Sequence, residues 1–113
     1  MAETIFTKII NKEIPADIVY EDDLCLAFHD VNPQAPIHVL LIPKQEIENV
    51  AGLTENDQVI AGHLLLKVAE IAKQLKLGQG YRVVANCGQN GGQSVDHLHL
   101  HILGGRSLTW PPG

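Results

Sequence analysis

The most constraining feature of the sequence is an alternating run of histidines near its end. The segment VDHLHLHILGG occupies residues 95–105 and places His97, His99 and His101 at every second position. Alternate side chains of a β-strand project from one face, so this spacing predicts three imidazoles on one side of a sheet and a row of leucine and isoleucine side chains on the other. We predict a final strand over residues 95–103, with its apolar side facing the core.

The rest of the chain predicts four further strands and two helices. The strand-like segments are residues 17–21, 24–30, 37–43 and 81–87. A short helix is predicted over residues 4–12 and is stopped by Pro15, and a long helix runs from the capping residue Thr54 to Gly78. The apolar positions of the long helix recur every three or four residues: Val59, Ile60, Leu64, Val68, Ile71 and Leu75. Hairpin-forming strands with one helix inserted late predict an α+β domain built on an antiparallel sheet of about five strands.

Length, charge and cysteine content narrow the functional class. The 113 residues fit a single domain over residues 1–113, and the net charge of −5 argues against non-specific nucleic-acid binding, which requires a basic face. We see neither a signal peptide nor an apolar run of the ~20 residues that cross a bilayer, and we therefore expect a cytoplasmic protein without a membrane partner. Cys25 and Cys87 are too few for a disulfide framework, so we expect two free and largely buried thiols.

Three imidazoles on one face indicate function more than packing, because each buried ring needs partners for its polar nitrogens. Two functional interpretations compete. The first is a zinc site, since His-x-His on a strand can converge on a metal, but the sequence contains neither HExxH nor CxxC. The second is nucleophilic catalysis at phosphorus, in which one imidazole attacks while a hydrogen bond at its other nitrogen keeps the attacking nitrogen unprotonated.

The loop before the histidines favours the second interpretation. Residues 88–94, GQNGGQS, are rich in glycine, which lets backbone amides approach an anion closely. The loop lacks the lysine followed by serine or threonine that a P-loop requires. Its amides and Ser94 would hold phosphate oxygens beside a nucleophilic histidine as negative charge develops on them. We therefore expect a histidine that attacks phosphorus, with no metal ion.

The residues around this loop resemble a known family. The signature of the histidine triad (HIT) superfamily is matched at Asn86, Gly91, Gln93, Val95, the run HLHLHIL and Gly104. Residues 5–44, residues 80–106 and the final WPPG are similar to the Hint branch, the histidine triad nucleotide-binding proteins. The resemblance implies the HIT fold, with one long helix and a short N-terminal helix. It also implies a homodimer that extends the sheet, with residues 106–113 as a tail near the interface.

By that resemblance the protein is a purine nucleoside phosphoramidase that uses no cofactor. It would hydrolyse the P–N bond of AMP or GMP joined to an amine, as in AMP-lysine or adenosine 5′-phosphoramidate, and release the nucleoside monophosphate. His99 matches the family nucleophile, which becomes nucleotidylated. His97 and His101 match residues that orient the nucleophile and contact phosphate. His38 matches the remaining histidine of the family's proton relay.

The nucleotide contacts of the family also have counterparts here. Asp30 matches the carboxylate that accepts hydrogen bonds from both ribose hydroxyls. The apolar slot for the purine would come from Val31, with Phe28 and with Ile18 or Leu26. The phosphate would be held by Asn86, Gly92, Gln93 and Ser94, together with His99 and His101. His29 matches a position near this pocket, where either a binding or a structural role fits.

Other features are less diagnostic. Trp110 matches a tail residue that reaches toward the partner subunit's site, although a tryptophan in a proline-rich tail is often plain packing. Glu46 stands where many animal Hint sequences have a histidine, which we take as indicating a bacterial member. His63 is expected to be an ordinary boundary residue of the long helix. The alternatives to a phosphoramidase are a dinucleoside polyphosphate hydrolase and a non-catalytic nucleotide-binding or zinc-binding regulator.

Overall fold

The alternating apolar segments of the sequence pair into one antiparallel sheet. A computed structural model describes residues 3–113. The strands are β1 (Ile18–Glu21), β2 (Cys25–His29), β3 (Ile37–Pro43), β4 (Tyr81–Val84) and β5 (Leu100–Gly104). The helices are α1 (Ile5–Ile10) and α2 (Gln58–Gln74), with 3₁₀ turns at Val50–Gly52 and Glu55–Asp57. The predicted α+β architecture, with five strands, one long helix and a short N-terminal helix, is confirmed over the described residues.

The strand order places β3 and β5 side by side within the sheet. The order is β1-β2-β3-β5-β4, and every neighbouring pair is antiparallel. Leu40 of β3 lies opposite His101 of β5, and His38 lies opposite Leu103. Because alternate residues share a face, this register makes His38 and His101 diagonal neighbours on the same side of the sheet.

Each face of the sheet has its own apolar core, because β2, β3 and β5 are apolar on both faces. The first cluster includes buried residues of α2 and of one sheet face: Ala27, Val39, Leu41, Ile60, Leu64, Val68, Ile71, Leu98, Leu100 and Ile102. The second cluster joins α1 to the opposite face through Phe6, Ile9, Leu26, Phe28, Leu40 and Ile42. The long helix and the short helix therefore cover opposite faces of one sheet.

The short helix is stabilised at its start by a capping box. The hydroxyl of Thr4 accepts from the backbone N–H groups of Phe6 and Thr7, and the Thr7 hydroxyl accepts from the Thr4 N–H at 2.9 Å. The helix ends at Ile10 with Asn11 as its C-terminal cap, and Lys12 follows with a φ of 63°, in the left-handed region. The predicted helix over residues 4–12 is confirmed in its central turns.

Two predicted strands are at least three residues shorter in the structure. The final strand was expected over residues 95–103, but β5 begins at Leu100, because the N–H of Leu98 donates to the carbonyl oxygen of Ile47 at 2.7 Å instead of to a neighbouring strand. The strand expected over residues 81–87 ends at Val84, whose partner in β5 is His101. The shortened pairing leaves Cys87 exposed, contrary to expectation, whereas Cys25 is buried as predicted.

The long helix also differs from its prediction at both ends. A 3₁₀ turn follows Thr54 before α2 begins, and its Asp57 carboxylate accepts from the Thr54 N–H at 2.9 Å. At the other end the helix stops before Lys76, not at Gly78, since Lys76 adopts a φ of 61° and the N–H of the buried Leu77 bonds the carbonyl of an earlier turn. Val59 was expected in the apolar stripe but is 78% exposed. None of the helices described is long and apolar enough to cross a membrane.

Candidate active site

The fold gathers four histidines into one cluster beside α1. The ring centroids of His99 and His101 are 5.0 Å apart, and those of His38 and His101 are 5.2 Å apart. His97, His99 and His38 are buried, whereas His101 is partly exposed. The aromatic contacts join these rings into one group on the α1 side of the sheet, although only His38 and His101 lie within strands. The prediction that the alternating histidines share a face is therefore confirmed, while the strand proposed to carry all three is not.

The hydrogen bond of His99 determines which of its nitrogens is free. Its Nδ1 lies 2.7 Å from the carbonyl oxygen of His97. A carbonyl oxygen only accepts, so Nδ1 must carry the proton and donate it. A neutral imidazole has a single ring proton, and Nε2 of His99 therefore bears a lone pair. This is the protonation pattern that a nucleophilic histidine requires.

A series of two hydrogen bonds, separate from that of His99, ends at His101. The backbone N–H of Gln34 donates to Nδ1 of His38 at 3.0 Å, so a neutral His38 carries its proton on Nε2. That nitrogen lies 2.9 Å from Nδ1 of His101. His101 then holds its own proton on Nε2, which is buried and has no hydrogen-bond partner within residues 3–113. The Nε2–H group of His101 is thus the proton donor at the end of this hydrogen-bonded series.

The surroundings of His101 and His38 favour the neutral forms of both rings. Burial lowers the pKa of His101 to about 4, and the neighbouring His99 and His38 rings act in the same direction, against the Asp30 carboxylate. Burial also lowers the pKa of His38, although Oδ2 of Asp30 lies 3.5 Å from its Nε2 and favours the charged form. Both rings are therefore neutral near pH 7, as the hydrogen-bond pattern requires.

His97 has a different environment from the other two triad residues. Its Nε2 donates to the carbonyl oxygen of Pro43 at 2.8 Å, and its Nδ1 has no hydrogen-bond partner in the described part of the chain. Burial lowers the pKa of His97, while the Pro43 carbonyl and the charge of Glu46 act in the opposite direction. Since the backbone carbonyl of His97 accepts the hydrogen bond from Nδ1 of His99, His97 orients the candidate nucleophile through its backbone.

A cavity of about 450 Å³ opens onto the cluster. Both His99 and His101 line it, as do Asp30, Val31 and His29. Its apolar lining comes from both helix α1 and the sheet: Ile5, Phe6, Ile9, Ile14, Pro15, Ala16, Phe28, Leu40 and Val95. The cavity therefore combines an apolar region with two carboxylates, those of Asp17 and Asp30, and three imidazoles, and an apolar pocket with a few polar groups is the usual composition of a small-molecule site.

The predicted base pocket is only partly formed by the residues expected. Val31 and Phe28 both line the cavity, although Val31 is fully exposed in this chain. Neither Ile18 nor Leu26 lines it. Residues on α1 and before β1 take their place, which the sequence pattern did not indicate because the α1 pattern was interpreted only as core packing.

The glycine-rich loop lies beside the cavity but contributes few lining atoms. Ser94 lines the cavity, whereas Asn86, Gly92 and Gln93 do not. The Gln93 side chain holds the loop together instead: its oxygen accepts from the Gly88 N–H at 3.0 Å, and its nitrogen donates to two backbone carbonyls. The assignment of these residues to phosphate binding therefore stays a prediction.

A close backbone approach explains one glycine of the loop. A Cβ atom at Gly91 would lie 2.4 Å from the carbonyl oxygen of Cys87, a distance that no side chain tolerates. Gly92 follows with a φ of 78°, in the left-handed region that favours glycine. The tight turn therefore requires glycine at position 91 and favours it at position 92, irrespective of any ligand.

Among residues 3–113, two groups of side chains bring atoms that could bind a metal within 4.8 Å of one another: Asp30, His38 and His101, and Asp22, Cys25 and His63. Hydrogen bonds explain the proximity in the first group, since His38 and His101 share a proton. The expectation of a metal-free site stays a prediction.

The second group is a saturated hydrogen-bond network next to α2. One oxygen of Asp22 accepts from the N–H groups of Leu24 and Cys25, at 2.8 and 2.9 Å. The other lies 2.7 Å from both the Tyr20 hydroxyl and Nε2 of His63. Burial alone would raise the pKa of Asp22, but these four donors outweigh it and hold the pKa well below its usual range. His63 is half-buried as expected and in addition ties α2 to the β1–β2 turn.

The tail lies along the edge of the sheet. The guanidinium of Arg82, in β4, donates to the carbonyl oxygen of Thr109 at 2.7 Å. Trp110 is 81% exposed, so its ring is not part of the core of this chain. Its predicted role at a partner's site stays a prediction.

Comparison with known proteins identifies relatives along nearly the whole chain. The sequence is 65% identical over 111 residues to an uncharacterized HIT-like protein of Synechococcus elongatus, covering 98% of this chain and 97% of that protein. It is 62% identical over 114 residues to an uncharacterized HIT-like protein of Synechocystis, with both chains fully covered.

Solved structures agree with these sequence relatives. A HIT family hydrolase from Legionella pneumophila superposes with a TM-score of 0.96 at 45% identity, covering 98% of this chain and all of that one. A histidine triad nucleotide-binding protein from Candida albicans gives a TM-score of 0.82 at 32% identity, covering 96% of this chain and 83% of that one. The model of the HIT domain family matches residues 11–108. The chain therefore belongs to the HIT domain family.

Proposed function

We propose that this HIT protein is a purine nucleoside phosphoramidase of the Hint branch, acting through a nucleotidyl-histidine intermediate on His99. The observation that carries the proposal is the hydrogen bond from Nδ1 of His99 to the His97 carbonyl, which leaves Nε2 unprotonated, with a free lone pair. The ring lines a cavity of about 450 Å³ that has an apolar region and also contains the Asp30 carboxylate in its lining. The hydrolase and nucleotide-binding relatives support the same class of reaction.

The first step forms one bond and breaks another. Nε2 of His99 attacks the α-phosphorus, the P–N bond breaks, and the departing amine nitrogen gains a proton. We propose that Nε2 of His101 donates that proton, since it carries the last N–H in the series of hydrogen bonds that runs through His38. Loss of this proton leaves the His101–His38 pair with one negative charge, as an imidazolate, and the positive charge that the His99 ring acquires compensates it, because the His99 and His101 centroids are 5.0 Å apart.

The second step restores the site. Water attacks the phosphorus of the intermediate, the bond to Nε2 of His99 breaks, and the nucleoside monophosphate is released. The proton lost by the attacking water goes to Nε2 of His101, which returns the relay to its starting state. The Asp30 carboxylate, an acceptor when ionised, would fix the ribose hydroxyls during both steps. Amides of residues 88–94 and the Ser94 hydroxyl would bind the phosphate oxygens.

The test is release of AMP from adenosine 5′-phosphoramidate by the wild-type protein and by His99→Ala, in EDTA. We expect wild-type turnover and a loss of at least ~10³-fold in the variant, as for other removed nucleophiles. Binding of AMP to the variant, measured by calorimetry, checks that its pocket is intact. Turnover by neither protein would contradict the proposal, and dinucleoside polyphosphates would then be the next substrates to assay. Dependence of activity on a stoichiometric metal ion would overturn the metal-free mechanism.

A homodimer is part of the same proposal. Exposed apolar side chains occur on α2 and on the edge strand β4: Val59, Leu65, Leu66, Tyr81 and Val83. An edge strand with unpaired backbone groups can add the same strand of a second copy, which would extend the sheet. We expect a dimeric mass by analytical ultracentrifugation at micromolar concentration, lowered by Leu66→Glu but not by Val50→Glu, an exposed apolar position elsewhere. A monomeric wild type would contradict this.

A further inference from the structure

The N-terminal helix places an aromatic ring against the histidine cluster. Phe6 is 5% exposed, and its ring is nearly perpendicular to that of His99, at 80° with the centroids 5.0 Å apart. It meets His97 at 81° and 6.1 Å, and Phe28 at 69° and 5.6 Å. Perpendicular aromatic contacts are attractive and directional, so Phe6 favours one orientation of the ring that it touches.

The orientation of His99 matters because an imidazole can turn over. Rotation about the bond between Cβ and the ring has a broad, two-fold profile, so a half-turn is intrinsically accessible. A half-turn would carry Nδ1 away from the His97 carbonyl and put Cε1 where Nε2 now lies. One hydrogen bond holds the ring against this, at 2.7 Å. Phe6 and His101 contact the ring as well, each with its centroid 5.0 Å away.

Helix α1 is built to deliver this side chain. Six residues are too few to form a stable helix alone, so α1 depends on its Thr4–Thr7 capping box and on the burial of Phe6 and Ile9 against the sheet. Because the HIT domain family match begins at residue 11, α1 lies outside it. The matched segment therefore includes His99 but not Phe6.

We propose that Phe6 is a positioning residue that prevents the half-turn of His99 and keeps Nε2 available for attack. The short helix α1 is thereby a functional part of the site. This inference rests on the proposed function only for its kinetic consequence, because the orientation of the ring is measurable without a substrate.

The test compares Phe6→Leu, which keeps an apolar side chain but removes the ring, with Ile9→Val. Ile9 lines the same cavity and packs in the same cluster, and no aromatic contact joins it to a histidine. Proton–nitrogen correlation spectra report which nitrogen of His99 carries its proton. We expect the Nδ1–H form alone in the wild type and in Ile9→Val, and a mixture with the Nε2–H form in Phe6→Leu. A single Nδ1–H form in Phe6→Leu would overturn the proposal.

Kinetics with adenosine 5′-phosphoramidate supply the second readout. Misplacing a reacting atom costs ~10- to 100-fold in kcat, and we expect a loss of this size in Phe6→Leu with a smaller change in KM. The conservative variant Phe6→Tyr, which keeps the ring, should recover most of kcat. A raised KM with unchanged kcat would show that Phe6 only lines the nucleotide pocket. If Phe6→Leu is too unstable, Phe6→Met replaces it, and if the wild type has no such activity, the spectra still decide the positioning role.

Discussion

The two polar clusters of this protein lie on opposite faces of one sheet and are built differently. Beside α2, the Asp22 carboxylate accepts from four donors, two of them side chains. Beside α1, two buried ring nitrogens, Nδ1 of His97 and Nε2 of His101, have no partner in the described residues. Buried polar groups are nearly always paired, so an unpaired one needs an explanation. We infer from this difference that the first cluster stabilises the fold, and we propose that the second is arranged for a ligand.

Among the variants that separate the two clusters, the largest effect is expected from breaking the hydrogen-bond relay that ends at His101. In His38→Asn the imidazole that donates to His101 is lost, and general acid catalysis of amine departure should fall by ~10²-fold in kcat. A p-nitrophenyl ester of AMP needs no protonation of its leaving group, so the loss with that substrate should be much smaller. Steady-state kinetics with the two substrates measure the difference. Equal losses would show that His38 acts on the fold and not on the proton.

The opposite result is expected for Asp22→Ala. Removing this carboxylate leaves the Tyr20 hydroxyl, the His63 ring and two backbone N–H groups without their acceptor, which costs about 2–3 kcal/mol of unfolding free energy. Urea denaturation measures this, and kcat per folded molecule should stay near the wild-type value because the network lies on the other face of the sheet. A large fall in kcat with an unchanged unfolding free energy would reverse the roles assigned to the two clusters.

The smallest effect is a pH dependence of stability that separates the clusters. The pKa of His101 falls from 6.5 to about 4 on folding, and those of His38 and His97 are also lowered. The unfolded chain therefore binds more protons in this window, and stability falls as pH drops from about 6.5 toward 4, by ~1–2 kcal/mol from His101 alone between pH 7 and 5.

The carboxylate of Asp22 contributes no such loss in that window. Its pKa is lowered on folding, so its contribution is present above its ordinary value of 3.8 and disappears only in stronger acid. Urea denaturation at pH 7 and 5 measures the slope, and His101→Gln should flatten it while Asp22→Asn should not. An unchanged slope in His101→Gln would contradict a buried neutral ring at this position.

Local patterns predicted the elements and the shared face of the histidines, but not the contacts made across the fold. The HLHLHIL alternation predicts one imidazole face, and the rings do meet. The start of β5 depends on the hydrogen bond from the Leu98 N–H to the Ile47 carbonyl. Ile47 lies 51 residues earlier in the sequence, so no local pattern reveals this bond. The end of α2 depends on the burial of Leu77, which makes Lys76 adopt the left-handed conformation before Gly78 is reached.

The same limit applies to the site. Resemblance to the family supplied His38 and Asp30, and the structure brings both next to His101. The pattern of Phe6 and Ile9 predicted a helix on a core, and the contact of Phe6 with His99 followed only from how that helix packs. The carbonyl of Pro43 and the N–H of Gln34 were missed altogether, because backbone groups carry no signal in a sequence.

The most direct test of the account is whether His99 becomes covalently nucleotidylated. The wild-type protein would be mixed with adenosine 5′-phosphoramidate, quenched in alkali within milliseconds, where phosphorus bonded to imidazole nitrogen survives, and digested for mass spectrometry. We predict an AMP group on the peptide that contains His99, formed and lost at rates compatible with kcat and absent in His99→Ala. AMP release at the normal rate without this adduct, or the adduct on another histidine, would contradict the assignment of His99 as the nucleophile.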